Sequence, residues 1–174
     1  QGDWSSDVCS SDLEAAAWQE KYANVLVCDG EARNGFEGIF PLGAEEFGEL
    51  PKSGYFFSAV WLCKYNEGSG IADAKEFLPK FTQTVRNSSG YAGTSYHFGN
   101  YYSDSNPDAD FLWGDFTNSR ESMIQATNAF QKDVQPSMFP IFSKFAACGD
   151  TPDEYNGWML YDAENKDFMP KFTN

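Results

Sequence analysis

The eleven residues from Tyr55 to Tyr65 (YFFSAVWLCKY) are apolar on both alternations, with Phe57, Ala59, Trp61 and Cys63 on one parity and Phe56, Val60 and Leu62 on the other. A run so short and so rich in aromatic residues reads as a strand. A strand that is apolar on both sides needs cover on both faces of its sheet. The chain must therefore supply two covering layers or borrow one from elsewhere.

The segments that follow read in order. Asn66 to Gly70 is a turn. From Ile71 to Arg86, apolar residues recur at Ile71, Ala74, Phe77, Leu78, Phe81 and Val85, the spacing of one helix face. Pro79 falls inside this helix and predicts a kink or a break there. Tyr91 to Tyr102 reads as a second strand and Asp110 to Phe116 as a third, joined by a polar loop. Asn118 followed by Glu121 has the form of a capping box, opening a second helix that runs to about Lys132. Phe139 to Cys148 and Tyr155 to Tyr161 supply one further strand or two. Strand, helix, strand, strand, helix, strand is the ferredoxin-like βαββαβ order, so the expected class is α+β with an antiparallel sheet.

Bulk composition narrows the partners. The formal charge is −14, from 12 basic and 26 acidic residues, and no stretch gathers Lys and Arg into the basic face that nucleic acid requires. No apolar run approaches the roughly 20 residues of a membrane-spanning helix. Neither a nucleic-acid nor a membrane partner is expected.

The N-terminal stretch stands apart. Residues 3–13 (DWSSDVCSSDL) match, residue for residue, one reading frame of a common sequencing-adapter oligonucleotide, so residues 1–13 are expected to be non-native and are set aside. Beyond them, two segments resemble each other. Ala17-Trp18-Gln19-Glu20 leads through Val25-Leu26-Val27 to Cys28 and then Phe36-Glu37-Gly38-Ile39-Phe40. Ala129-Phe130-Gln131-Lys132 leads through Ile141-Phe142 to Cys148 and then Tyr155-Asn156-Gly157-Trp158-Met159, with a longer insert around Val134 to Pro140. Such self-similarity predicts a tandem pair of like domains. On that basis 14–42 is the C-terminal part of a first α+β repeat, 43–54 a linker rich in Gly and Glu, 55–162 a complete ferredoxin-like domain, and 163–174 a polar tail.

The element order together with the two-sided strand resembles the dimeric α/β-barrel superfamily, in which two ferredoxin-like units pack sheet against sheet. The resemblance covers 55–162 well and 14–42 in part. It implies that the open side of the sheet packs on the missing first repeat or on a second chain. In that topology the first and last strands are neighbours, so Cys63 and Cys148 come opposite each other and are candidates for a disulfide; free buried thiols are the alternative. Cys28 would correspond to Cys148, with its own partner in the lost first strand. A bonded pair would imply an exported protein, of periplasmic or secreted type.

Candidate chemistry is sparse. Trp61, Tyr96, Trp113 and Asp115 lie on strands and form either an aromatic-walled pocket with one carboxylate for a small apolar ligand, or an ordinary core. The single histidine, His97, is the one candidate catalytic residue, as general base or haem-type ligand, since the resemblance includes members that bind haem or oxidise aromatic substrates. A packed histidine is the plainer alternative. One histidine and no Cys-x-x-Cys pair give no metal set. Asp104 to Asp110 alternates oxygen ligands as a calcium loop does, but it lacks the turning glycine and contains Pro107. Asn87-Ser88-Ser89 fits the glycosylation pattern. The leading expectation is a barrel protein, without cofactor, holding a small apolar or aromatic molecule between two sheets. Its alternatives are a monooxygenase-like enzyme using His97 with Trp61 or Trp113, and a structural domain with a filled core.

Overall fold

A computed structural model describes residues 20–21, 36–103, 106 and 108–159. Contacts divide the chain into Gln1–Phe36 and Glu37–Asn174, and the fold set out below is that of the second unit. The adapter-like segment, Cys28 and the tail 163–174 lie outside the described residues.

The long strand of the sequence becomes an inner strand of the sheet, paired on both sides. β1 (Glu37–Ile39), β2 (Tyr55–Tyr65), β3 (His97–Tyr102), β4 (Phe111–Thr117) and β5 (Ala146–Cys148) are ordered β1-β3-β4-β2-β5, and β6 (Asp153–Trp158) also pairs with β2. Every pairing is antiparallel. β5 and β6 lie end to end along one side of β2, opposite Cys63–Tyr65 and Tyr55–Val60 respectively. With helices after β2 and after β4, this is an α+β ferredoxin-like βαββαβ unit carrying one extra edge strand, β1.

Helix α1 (Ile71–Arg86) begins at Gly70, whose N–H donates to the Asp73 carboxylate at 2.9 Å. Asp73 in the first turn and Arg86 in the last complement the helix dipole. Of the kink or break expected at Pro79, the break does not occur, and the helix runs through from Ile71 to Arg86. Pro79 sits on the exposed side, so the N–H it lacks leaves only the Lys75 carbonyl to be satisfied by solvent. The inward side buries Ala74, Phe77, Leu78, Phe81, Thr82 and Val85.

The second helical segment is longer than expected. Its N-cap is Ser119, not Asn118: Ser119 Oγ accepts the Ser122 N–H at 3.1 Å, while Asn118 Oδ1 accepts from the Ser122 hydroxyl. α2 (Arg120–Ala129) runs into a π-helical turn, Phe130–Val134, and then α3 (Gln135–Phe142). Gln135 N–H reaches back five residues to the Phe130 carbonyl. That re-registration places Pro136 in the first turn of α3, where a missing N–H costs little. The segment Phe139–Phe142, expected in a strand, is therefore helical, and only Ala146–Cys148 joins the sheet. A short apolar run does not reveal its period.

One further stretch differs from expectation. Tyr91 to Tyr96 is not strand: Ser89–Tyr91 forms a 3-10 turn, and positive φ at Gly93 (78°) and Ser95 (50°) turns the chain before β3 begins at His97. Residues 43–54 hold a 3-10 turn at Ala44–Phe47, with the Phe47 ring against Tyr91 and Tyr96 at 5.7 and 6.4 Å. β1, placed by sequence in the earlier repeat, is hydrogen-bonded to β3.

Register sorts the strand residues onto two faces. Trp61, Trp113 and Asn100 form one cross-strand row beneath the helices, and Cys63, Phe111 and Tyr102 form the next. Phe77, Phe81, Val85, Ala126, Ala129 and Val134 pack on that face in one cluster. Each buried Phe contributes about 1.5–3 kcal/mol. The opposite face carries Phe56, Val60, Leu62, His97, Tyr101, Leu112 and Phe116, none of which belongs to the helix-side clusters. At its middle Gly99 and Gly114 are register partners. A Cβ on Gly99 would come within 2.6 Å of the Phe40 ring, and one on Gly114 within 2.9 Å of the Phe116 ring. The Phe40 and Phe116 rings lie against glycine backbone, and the aromatic rings of this side meet edge to face, Phe40 with Tyr101 at 5.4 Å and Phe56 with Phe116 at 5.9 Å.

Candidate functional site

Asp115 is the polar centre of the helix-covered side. β4 carries it opposite Ala59 of β2 and Phe98 of β3. Its Oδ1 accepts from the Tyr96 hydroxyl at 2.8 Å and from Trp113 Nε1 at 3.0 Å, and its Oδ2 accepts from Trp61 Nε1 at 3.3 Å. Burial raises the Asp115 carboxyl above its ordinary 3.8, and the three donors pull the other way. Burial, with the Asp115 charge beside it, pushes the Tyr96 phenol well above its usual 10.0. No Lys, Arg or His forms an ion pair with Asp115 among the described residues. Three neutral donors thus take the place that a cation usually fills around a buried carboxylate.

The four residues expected to line a pocket are therefore brought together, three of them as donors to the fourth. The space around them is occupied. Trp113 stacks on Phe98 with centroids 5.1 Å apart and planes 5° from parallel, and meets Phe81 edge-on at 4.9 Å and Phe142 at 6.1 Å. Trp61 and Asp115 keep partial exposure. Two hollows stand out on the surface, and neither reaches Trp61, Tyr96, Trp113 or Asp115. One, about 470 Å³, runs between β1 and α1 past Ile39, Leu78, Thr82 and Arg86. The other, about 460 Å³, lies on the outer side of α2 by Ile124 and Lys132.

His97 is on the other side of the sheet. It pairs with Phe116 across the strands, its ring stacked on that phenyl at 5.0 Å and 18°. Its Nδ1 lies 3.1 Å from the Ser95 carbonyl. A carbonyl only accepts, so Nδ1 carries the proton and Nε2 is left with the lone pair. Burial lowers the His97 pKa from 6.5, against the Ser95 contact and the charge of Glu45, which raise it. The neutral ring is the favoured form. His97 is therefore not brought together with Trp61 or Trp113.

The turn before β3 causes this split. Ser95 holds φ 50°, unusual for a residue with a side chain. Its N–H donates to the Phe47 carbonyl at 3.3 Å, its hydroxyl to the Glu49 carbonyl at 2.6 Å, and Asn118 Nδ2 donates to the Gly93 carbonyl at 3.1 Å. Held in this way, Tyr96 enters the helix side, and His97 begins the strand on the other face. Sequence inspection missed Ser95. Its only signal was a Gly-Thr-Ser stretch in front of a strand.

Cys63 of β2 and Cys148 of β5 are register partners, with Cα atoms 3.9 Å apart and sulfurs bonded at 1.98 Å. The Gly149 N–H donates to the Leu62 carbonyl one step along the ladder. Of the calcium-like loop, Asp104, Ser105 and Pro107 lie outside the described residues, and Asp110 Oδ2 accepts the Tyr65 N–H at 2.7 Å. Among the described residues no cluster of three His, Cys, Asp or Glu is placed to hold a metal, and no helix is long and apolar enough to cross a membrane.

Comparison with protein-family models, with curated proteins and with solved structures finds no match.

Proposed function

We propose that this chain is a packing unit of the dimeric α/β-barrel type, half of a two-sheet barrel whose open face closes on a like sheet. The supporting observation is the face opposite the helices, where Phe56, Val60, Leu62, Tyr101, Leu112 and Phe116 form an aromatic and aliphatic surface across β2, β3 and β4. Leu62 is 38% exposed and Phe40 54%. Contiguous apolar surface of this kind marks a contact site. The three strands, spaced about 4.8 Å apart and about eight residues long on average, give a face of roughly 380 Å² in plan, about half the ~800 Å² per partner of a standard interface. The like sheet would come from a preceding repeat or from a second copy.

A small apolar or aromatic ligand held in that seam is a second reading, favoured by one observation. His97 lies on this face with its Nδ1 engaged by Ser95, so its Nε2 could accept a hydrogen bond from a guest stacked near Phe116. The monooxygenase-like alternative needs His97 beside Trp61 or Trp113, and the sheet stands between them.

The test is association. Sedimentation equilibrium of the full chain should show a dimer, and Leu62→Lys, at an exposed position, should shift it to monomer without loss of helical circular dichroism. A wild-type chain that stays monomeric at high micromolar concentration would remove the second-copy form of this reading. If that chain also fails to associate with a separately supplied preceding repeat, the reading as a whole is removed.

A further inference from the structure

We propose that Asn87 is an acceptor for an N-linked oligosaccharide, with Ser89 as its recognition hydroxyl. Asn87-Ser88-Ser89 is the one Asn-x-Ser/Thr tripeptide without a central proline in the 174 residues. A short motif acquires meaning only from where the fold puts it, and three observations bear on that.

The first is presentation. Asn87 closes α1, its N–H donating to the Gln83 carbonyl at 3.2 Å and its Oδ1 accepting from Gln83 Nε2 at 3.1 Å. Its Nδ2, the atom that would carry the sugar, makes no hydrogen bond among the described residues, and both Asn87 and Ser89 are exposed. The middle residue is the anchored one. Ser88 is buried, its hydroxyl donating to Asp133 Oδ2 at 2.5 Å and accepting the Gly90 N–H at 3.2 Å. Ser88 fixes the turn from inside while its two neighbours face solvent.

The second is compartment. The Cys63–Cys148 bond belongs to an oxidising environment, and a secretory lumen is also where N-linked sugar is added. The third is clearance. Asn87 ends a helix of the covering layer, so a glycan there leaves the apolar sheet face of Phe56, Leu62 and Phe116 free.

The donor is a lipid diphosphate-linked oligosaccharide. Asn87 Nδ2 attacks the anomeric carbon, forming an N–C bond. The bond from that carbon to the phosphate oxygen breaks, the diphosphate leaves with its electron pair, and one amide proton passes to a base. No oxidation occurs.

The full chain, directed by an added leader into the secretory lumen of a eukaryotic cell, should be recovered heavier than its sequence mass. Peptide N-glycosidase should remove the excess and leave Asp at position 87 in the peptide map. Asn87→Gln and Ser89→Ala should each abolish the shift, and Ser89→Thr should keep it. Translation into microsomes reads the same modification without requiring export. Bare mass in both systems, with Cys63 and Cys148 bonded, would overturn the proposal, as would a glycan that persists in Asn87→Gln.

Discussion

Tyr96 donates its phenolic proton to Asp115 at 2.8 Å, while His97, the next residue along the chain, faces the other side of the same sheet. The two most chemically suggestive side chains of this region are neighbours in sequence and are separated by a layer of backbone. Ser95, at φ 50°, fixes that division.

The Asp115 cluster should dominate local stability. Asp115→Ala strands the Tyr96 hydroxyl and two indole N–H groups, each unpaired donor costing about 1–3 kcal/mol where buried. Partial exposure of Trp61 and Asp115 discounts the sum to about 3–4 kcal/mol. Tyr96→Phe removes one donor and should cost about 1–2 kcal/mol. Urea denaturation followed by tryptophan fluorescence measures both, and a loss under about 1 kcal/mol for Asp115→Ala would show that the cluster is not energetically coupled.

The same carboxyl predicts a pH dependence. Its folded pKa is raised above the ordinary 3.8, so the folded state holds the proton more tightly than the unfolded chain. Its contribution is fully present below 3.8 and is lost as pH rises through the folded value. Wild type should therefore lose stability relative to Asp115→Asn on going from acid towards neutral pH. The opposite slope would mean that the three donors outweigh burial.

His97 gives the opposite sign. Its pKa is lowered from 6.5, so its contribution is present above that value and is lost as pH falls through the folded one. His97→Gln should flatten the acid limb of the stability profile below 6.5. An NMR titration of the ring that gives a midpoint at or above 6.5 would contradict it.

The disulfide joins residues 85 apart and ties the three-residue β5 to β2. Replacing both cysteines by Ser should cost about 2–4 kcal/mol. Thiol labelling after unfolding without reductant should leave Cys63 and Cys148 unmodified. Labelling of both would show that they are free.

Pro79→Ala should stabilise the protein. Pro79 is exposed in the interior of an unbroken helix, and Ala restores an N–H for the Lys75 carbonyl. The intrinsic difference is about 3 kcal/mol, of which about 1–2 should appear once local relaxation of the proline helix is allowed for. An unchanged midpoint in thermal melting would show that α1 has already absorbed the cost.

Much of the architecture is written locally. The both-sided apolar run marks Tyr55–Tyr65 as a strand needing cover on both faces, and the 3.6-residue spacing of Phe77, Phe81 and Val85 marks one buried face of α1. Helix-to-strand order then leaves few antiparallel arrangements. The errors fall where local signals conflict. Prolines 136 and 140 sit in an apolar stretch that is helical because a π turn shifts the ladder ahead of Pro136. The chain from Tyr91 to Tyr96 turns because Gly93 and Ser95 adopt positive φ, a conformation that side-chain patterning does not encode.

Sequence alone therefore determined the α+β class, the strand Tyr55–Tyr65 and the inward side of α1, because periodicity is a property of consecutive residues. It also singled out Trp61, Tyr96, Trp113 and Asp115 as a group. Only tertiary structure decided what the group is. Register brought Trp61 and Trp113 to one carboxylate, the turn at Ser95 added Tyr96, and Phe81, Phe98 and Phe142 packed about Trp113. Tertiary structure also put His97 on the face opposite the helices, because successive strand residues alternate sides and the starting side is set by a turn whose hydrogen bonds come from Phe47, Glu49 and Asn118, residues distant in the chain.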